Sequence, residues 1–225
     1  MLTIQNLSVS LAGSPVLRAL SLTVHAGTTT AVVGRNGAGK TTLLRSIMGL
    51  VTPSSGTIHL DEENLTQAPA YGRTGVGIGY APEDRVMFPT LSVEDNLRLP
   101  CEVLGLSREE TDRRLARVLE VVPQLKEMLG RSGAALSGGQ GKMAALGRAL
   151  MVGTKLVLLD EPFQGLAPVL AGQYAESLRR LHQVAPELCI VVTESNRSLL
   201  RDLPDATLTL ERGELVAEAP QAAAH

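Results

Sequence analysis

Residues Gly34-Arg35-Asn36-Gly37-Ala38-Gly39-Lys40-Thr41 fit the spacing G-x-x-x-x-G-K-[ST], a pattern suited to cradling a polyphosphate. A triphosphate packs several negative charges into a small volume. Glycines at 34, 37 and 39 let successive backbone N–H groups turn toward those charges, and a helix behind the loop adds the positive end of its dipole. Lys40 supplies a point charge for the outer phosphates, Thr41 a hydroxyl for Mg²⁺, and Thr42 a further hydroxyl near the α-phosphate. Far downstream, Asp160-Glu161 closes an apolar run. Ligands gather at the carboxyl ends of parallel strands. That places Asp160 to hold Mg²⁺ through water, and Glu161 to orient and deprotonate an attacking water. Before this pair comes Leu136-Ser137-Gly138-Gly139-Gln140. It exposes backbone N–H groups ahead of a helix starting near Gln140, a second anion-binding surface. One nucleotide does not need two such surfaces from one chain. Each stretch also has a plainer reading: a glycine turn with a stray lysine, a surface acidic pair, a serine-capped helix start. Their order along one chain argues for the chemical reading.

The flanking elements are those the chemistry requires. Residues 2–10 and 16–25 alternate apolar and polar, as half-buried strands do. His25-Ala26-Gly27 reads as a turn, and 28–33 as a β-branched strand leading into the glycine loop. Residues 41–49 read as a helix with Leu43, Leu44, Ile47 and Met48 on one side, completing the strand–loop–helix context. Pro53-Ser54-Ser55-Gly56 is a turn, and 57–60 and 76–80 are short strands. From 92 to 122 the pattern is helical and charged, with Ser92 and Ser107 as caps. Residues 155–159 read as a central parallel strand, 169–182 as a helix and 188–193 as a buried strand. A closing hairpin turns at Arg212-Gly213 between 206–210 and 214–217, and 220–225 read as a frayed end.

Composition narrows the function classes. The 225 residues suffice for one ample domain, and 44% are apolar. The formal net charge is −2, so no basic field points to nucleic acid. Tryptophan is absent and aromatics are 2%, which argues against base-stacking platforms. Cys101 and Cys189 form no C-x-x-C pair and read as reduced thiols. No apolar run approaches the ~20 residues of a membrane span, and the start of the chain lacks the pattern of a signal peptide. The expectation is a soluble chain whose membrane role comes through a partner.

With LSGGQGKMAALGRAL over 136–150 and LVLLDEPFQGLAP over 156–168, nearly the whole chain resembles the ATP-binding cassettes, the ATPase subunits of membrane transporters. The resemblance implies an α/β fold: a P-loop NTPase core with an N-terminal antiparallel β subdomain and a helical insertion. It divides one domain, 1–225, into a nucleotide-binding core (1–87 and 151–219) and a helical signature subdomain (88–150). It implies ATP and Mg²⁺ as the bound pair. It also implies that two cassettes meet head to tail, with Ser137, Gly138, Gly139 and Gln140 of one closing over the γ-phosphate held by Gly34–Thr42 of the other. GYAPEDR over 79–85 and FPTLSVEDNL over 88–97 are similar to the branch serving branched-chain amino-acid and urea uptake.

Three positions depart from the family pattern. Most cassettes carry glutamine where this chain has Glu83, in a loop that senses Mg²⁺; a carboxylate still suits that ion, and a merely solvated acid is the alternative. Ser195 stands where most cassettes have a histidine reaching the γ-phosphate, and related amino-acid cassettes often have glutamine. Leu11 matches the position of the aromatic ring that stacks on adenine; it can pack on the base without the stacking terms, or be simply a strand residue. Asp84–Phe88 suit docking of a short helix from a membrane subunit, or the insertion's own core.

The resemblance therefore implies an ATPase at the cytoplasmic face of the inner membrane, bound peripherally through transmembrane permease subunits. It works with a second cassette, the same or different, and with an extracytoplasmic substrate-binding protein. Ser195 and Leu11 motivate a second expectation: a nucleotide-gated regulatory cassette with little hydrolysis. A soluble cassette for DNA repair or ribosome work fits poorly. It would bring a long coiled-coil insertion, a second cassette or a basic stripe.

Overall fold

The computed structural model describes residues 1–84 and 87–216. Arg85 and Val86 of the expected docking patch, Ala217 and the expected frayed end lie outside them. Strands β1 (Leu2–Leu11) and β2 (Ser14–Val24) form an antiparallel hairpin. Its two-residue turn, Ala12-Gly13, has both φ angles positive, at 48° and 81°, the geometry that matches strand twist. β4 (Ser55–Leu60) pairs with β1, and β5 (Glu63–Asn64) with β4, giving a four-stranded sheet in the order β2-β1-β4-β5.

The second sheet has six strands: β3 (Thr29–Val33), β6 (Ile78–Ala81), β7 (Leu156–Asp160), β8 (Cys189–Glu194), β9 (Ala206–Glu211) and β10 (Glu214–Val216). Their order is β10-β9-β3-β8-β7-β6, and all pairings are parallel except β9 with β10. β7 is buried throughout, as expected where both faces of a parallel sheet are covered. Its alternate residues feed two cores. Leu156 and Leu158 join Leu2, Ile4 and Val32 with Leu43, Leu44 and Ile47 of helix α1 (Lys40–Ile47). Val157 and Leu159 join Ala31, Ile190 and the helices α3 (Val93–Val103), α4 (Arg108–Val121), α5 (Gly138–Val152) and α6 (Pro168–Val184).

Local chemistry sets the helix ends. Ser92 caps α3 by accepting from Asp95 N–H, and Ser107 caps α4 by accepting from Glu110 N–H. Ser137 caps α5 in a full capping box with Gln140. α5 lies very close to β6: a Cβ on Gly79 would sit 2.1 Å from the carbonyl oxygen of Ala149. Cys101 and Cys189 are buried free thiols.

Several boundaries differ from the sequence pattern: α5 starts at Gly138 and not near Gln140, and the 92–122 stretch divides into α3 and α4. β6 starts at Ile78, because Gly77 (φ 99°) turns the chain and its carbonyl accepts from Thr154, Lys155 and Leu156. Ser55 and Gly56 belong to β4. Gly56 adopts φ 88°, where a Cβ would meet the backbone of Asn6 at 2.4 Å.

Arg73, in the short helix α2 (Ala70–Arg73), is 1% exposed and has no carboxylate partner among the described residues. Its guanidinium donates instead to the carbonyls of Ile47 (2.8 Å), Ala68 and Leu65, tying α1 to the segment before β6. Burial lowers its pKa from the ordinary arginine value. Arg73→Met would strand these carbonyls in apolar surroundings. We expect it to lower stability by about 3 kcal/mol, read from urea midpoints; an unchanged midpoint would refute the stapling role.

Candidate functional site

The loop 34–39 links β3 to α1 at the carboxyl edge of the large sheet. Gly34 N–H donates to the Glu194 carbonyl at 3.1 Å, pinning the loop to the end of β8. Gly39 caps α1 in a left-handed conformation, φ 111°, and a Cβ there would meet Leu17 at 2.8 Å. Only glycine fits both demands. The loop borders a cavity of about 310 Å³ lined by Asn36, Gly37, Gly39, Lys40, Thr41 and Thr42, with Val16, Glu83, Glu161 and Gln164 facing them.

Lys40 is 4% exposed. Its ammonium donates to the carbonyls of Gly34 (2.7 Å) and Arg35 (3.3 Å), and lies 2.9 Å from Glu161 Oε1. A polyphosphate in this cavity would compete with Glu161 for that ammonium. Taking the lysine would set the carboxylate loose beside the phosphates. Thr41 Oγ1 donates to Asp160 Oδ1 at 3.2 Å, so hydroxyl and carboxylate face one point. Thr193 Oγ1 donates to the same oxygen at 2.8 Å, and Tyr80 OH to Asp160 Oδ2 at 3.3 Å. Burial and the Asp160 charge push the Tyr80 pKa up, so the phenol keeps its proton.

Thr41, Asp160 and Glu83 are hard oxygen donors, the chemistry Mg²⁺ selects. That ion uses one or two carboxylates together with substrate phosphates, so no all-protein cage is needed. Among the described residues no cluster of three or more His, Cys, Asp or Glu side chains could hold a metal by itself.

Glu161 is strained and tightly held. Its φ is +45°, a left-handed value unusual for a residue with a side chain. Its N–H donates to the Thr193 carbonyl at 3.1 Å, and its own carbonyl accepts from Lys142 Nζ on α5. Ser195 Oγ donates to Glu161 Oε2 at 3.1 Å. With its amide nitrogen turned toward the acids, Gln164 donates to Glu161 Oε2 (3.2 Å) and Glu83 Oε1 (2.8 Å). It thereby bridges two carboxylates that would otherwise repel. Burial, then the charges of Glu161, Asp160 and Asp84, raise the Glu83 pKa.

Other positions lie apart. Arg35 and Ala38 face a neighbouring cavity with Arg18 and Arg212. Leu11 ends β1 at 42% exposure and is not among the residues lining the phosphate cavity, whose apolar wall is Val16. Ser137 and Gly138 are exposed at the start of α5, outside the cavity. The Gln140 side chain accepts from Ser137 N–H at 3.0 Å, completing the cap. Met87 packs on the helical core, while Phe88 is 48% exposed. A second groove, of about 500 Å³, runs between the end of α1, the residues after β6 and helices α3 and α5, lined by Arg45, Leu50, Tyr80, Pro82, Pro100 and Arg148.

The residues not anticipated from the sequence are Val16, Tyr80, Lys142, Gln164, Thr193 and Glu194. Lys142 follows the pentapeptide by two positions, and Gln164 follows Glu161 by three. Proximity to those motifs was their only signal.

A family model described as ABC transporter matches residues 17–164. PhnT of Salmonella choleraesuis, named for 2-aminoethylphosphonate import, is 32% identical over 96% of the chain, which spans 58% of PhnT's length. BraG of Pseudomonas aeruginosa, a high-affinity branched-chain amino acid transport ATP-binding protein, is 34% identical over 96% of this chain and 91% of its own length. LptB of Escherichia coli, from a lipopolysaccharide export system, is 32% identical over 96% of this chain and 89% of its own. The solved ATP-binding subunit of an ABC transporter superposes with a TM-score of 0.84 at 29% identity, covering 97% of this chain and 89% of its own. With a family model over residues 17–164 and a relative 34% identical over nearly the whole of both chains, the chain belongs to the ABC transporter family.

Proposed function

We propose that this chain is the ATP-binding and ATP-hydrolysing subunit of a membrane importer. The supporting observation is the placement of Glu161 in the phosphate cavity, 2.9 Å from the Lys40 ammonium and held by Ser195 and Gln164. Lys40 and the loop from Gly34 to Thr42 hold the triphosphate, with the hydroxyls of Thr41 and Thr42 at its edge. Thr41 and Asp160, with Glu83 alongside, would hold Mg²⁺ beside the phosphates, and the ion would neutralise the charge that develops on transfer. Glu161 takes the proton of the attacking water once the lysine has moved to the phosphates. Ser195 steadies Glu161 rather than reaching the phosphate with a charge. Leu11 and Val16 offer apolar packing to the base.

The Ser137–Gln140 surface, exposed at Ser137 and Gly138, serves the nucleotide of a second cassette, the same chain or a related one. Residues 1–87 and 151–219 act as the nucleotide-binding body and 88–150 as the signature subdomain. The groove beside Arg45, Leu50 and Arg148 receives a segment of the transmembrane permease, which keeps the chain at the cytoplasmic face of the inner membrane. No helix among the described residues is long and apolar enough to cross a membrane. The cargo is a branched-chain amino acid or a small amide such as urea, delivered by an extracytoplasmic binding protein. BraG supports that class; the names of PhnT and LptB speak for other cargoes, so cargo needs its own test.

Three outcomes check this reading. Glu161→Gln should lower ATP turnover by roughly 10²- to 10⁴-fold while ATP binding persists, and Lys40→Ala should lose binding. Undiminished turnover in the glutamine variant would overturn Glu161 as the base. Leu50→Asp should abolish co-purification with the co-expressed permease and leave the turnover of the isolated chain unchanged; retained co-purification would remove the groove from the docking surface. In proteoliposomes, leucine- or urea-loaded binding protein should stimulate ATP turnover and 2-aminoethylphosphonate should not. The reverse pattern would overturn the cargo class.

A further inference from the structure

Glu194 ends β8 with 0% exposure. Its carboxyl Oε1 accepts from Phe163 N–H at 2.8 Å, and among the described residues its Oε2 has no hydrogen-bond partner. Burying an acid with one oxygen unused is unfavourable. The oxygen in use is therefore the part of the side chain that answers a buried group, the Phe163 N–H.

Phe163 stands two residues after Glu161 and immediately before Gln164. Its ring is fixed edge-on against Tyr174, with centroids 5.3 Å apart. The turn after Glu161 is thus gripped at its middle, by backbone and by ring. The residues on either side of that grip are the ones aimed into the cavity. Glu161 reaches Lys40, and Gln164 bridges Glu161 and Glu83. The Glu194 carbonyl meanwhile holds Gly34 N–H, and its neighbour Ser195 holds Glu161 Oε2. One residue therefore links the phosphate loop and the turn that follows the base.

The charged groups around Glu194 are Glu161, Lys142 and Lys40, with the Tyr174 phenol also in its field. Burial, reinforced by Glu161, moves its pKa up to about 7, against the pull of the Phe163 N–H and the two lysines. Protonated or ionised, Oε1 remains an acceptor, so the grip does not depend on proton transfer.

We propose that Glu194 is a positioning residue for ATP hydrolysis: by accepting the Phe163 N–H it fixes the Glu161–Gln164 turn so that both side chains stay aimed at the phosphate cavity. This rests on the reading of Glu161 as the base. The test compares steady-state ATP turnover, ATP affinity and melting temperature for Glu194→Met, Glu194→Gln and Glu161→Gln. Glu194→Met should lower kcat by about 10- to 100-fold with ATP affinity within about threefold, since small misplacements of a reacting group carry losses of that size. Glu194→Gln, which keeps an oxygen for Phe163, should retain kcat within about threefold. Where the methionine variant does not fold, Glu194→Thr, too short to reach Phe163, should show the same kcat loss. Wild-type kcat in the methionine or threonine variant would overturn the positioning role. So would a glutamine variant as impaired as these with ATP binding intact, which would mark the carboxyl as an acid–base group. Turnover indifferent to Glu161→Gln would overturn the hydrolysis reading itself; loss there alone would overturn only the role of Glu194.

Discussion

The parallel pairing of β7 with β8 is the constraint on which the site rests. Asp160 lies opposite Thr193, so both strands finish at the same level of the sheet. Thr193 then serves two neighbours at once: its hydroxyl donates to Asp160 and its carbonyl accepts from Glu161. The next residues, Glu161 on one strand and Glu194-Ser195 on the other, emerge side by side facing the glycine loop. A one-residue slip would turn Asp160 and Thr193 to opposite faces and bury the wrong side chains. The alternation of Val157 and Leu159 against Leu156 and Leu158, filling two separate cores, is what forbids the slip.

Electrostatics at this edge is managed by neutral donors. Asp160, Glu161, Glu83 and Glu194 crowd one region in which Lys40 and Lys142 are the ammonium groups in contact with Glu161. Tyr80, Thr193, Gln164 and Ser195 each place an O–H or N–H on one of the first three carboxylates. The departures at positions 83 and 195 make sense together in these terms. An acid at 83 is tolerable because Gln164 spans the gap to Glu161. A serine at 195 is long enough to donate to Glu161 Oε2, and it does so without bringing a charge.

Much of this was legible in the sequence because the decisive signals are local. The glycine loop needs three closely spaced residues of unusual freedom. The caps at Ser92, Ser107 and Ser137 are single side chains bonding three residues ahead. The apolar runs of β7 and β8 are short enough to read directly. What escaped reading depends on encounters across long separations. No local pattern marks Lys142, which reaches the carbonyl of Glu161. Nor does one mark Arg73, which is buried among carbonyls. Glu194 lies just past the strand read over 188–193, and only the fold brings Phe163 over it.

The seam between β6 and α5 has a mechanical consequence. Gly79, Ala149 and Gly153 meet backbone to backbone, leaving no side-chain layer to absorb sliding. Helix α5 extends from that seam to the exposed Ser137, about 22 Å at 1.5 Å per residue. The end at the seam abuts the strand whose continuation carries Glu83, while Lys142 travels partway along the shaft against Glu161. Ser137 and Glu161 are therefore tied to one helix, which is anchored where Gly79 meets Ala149.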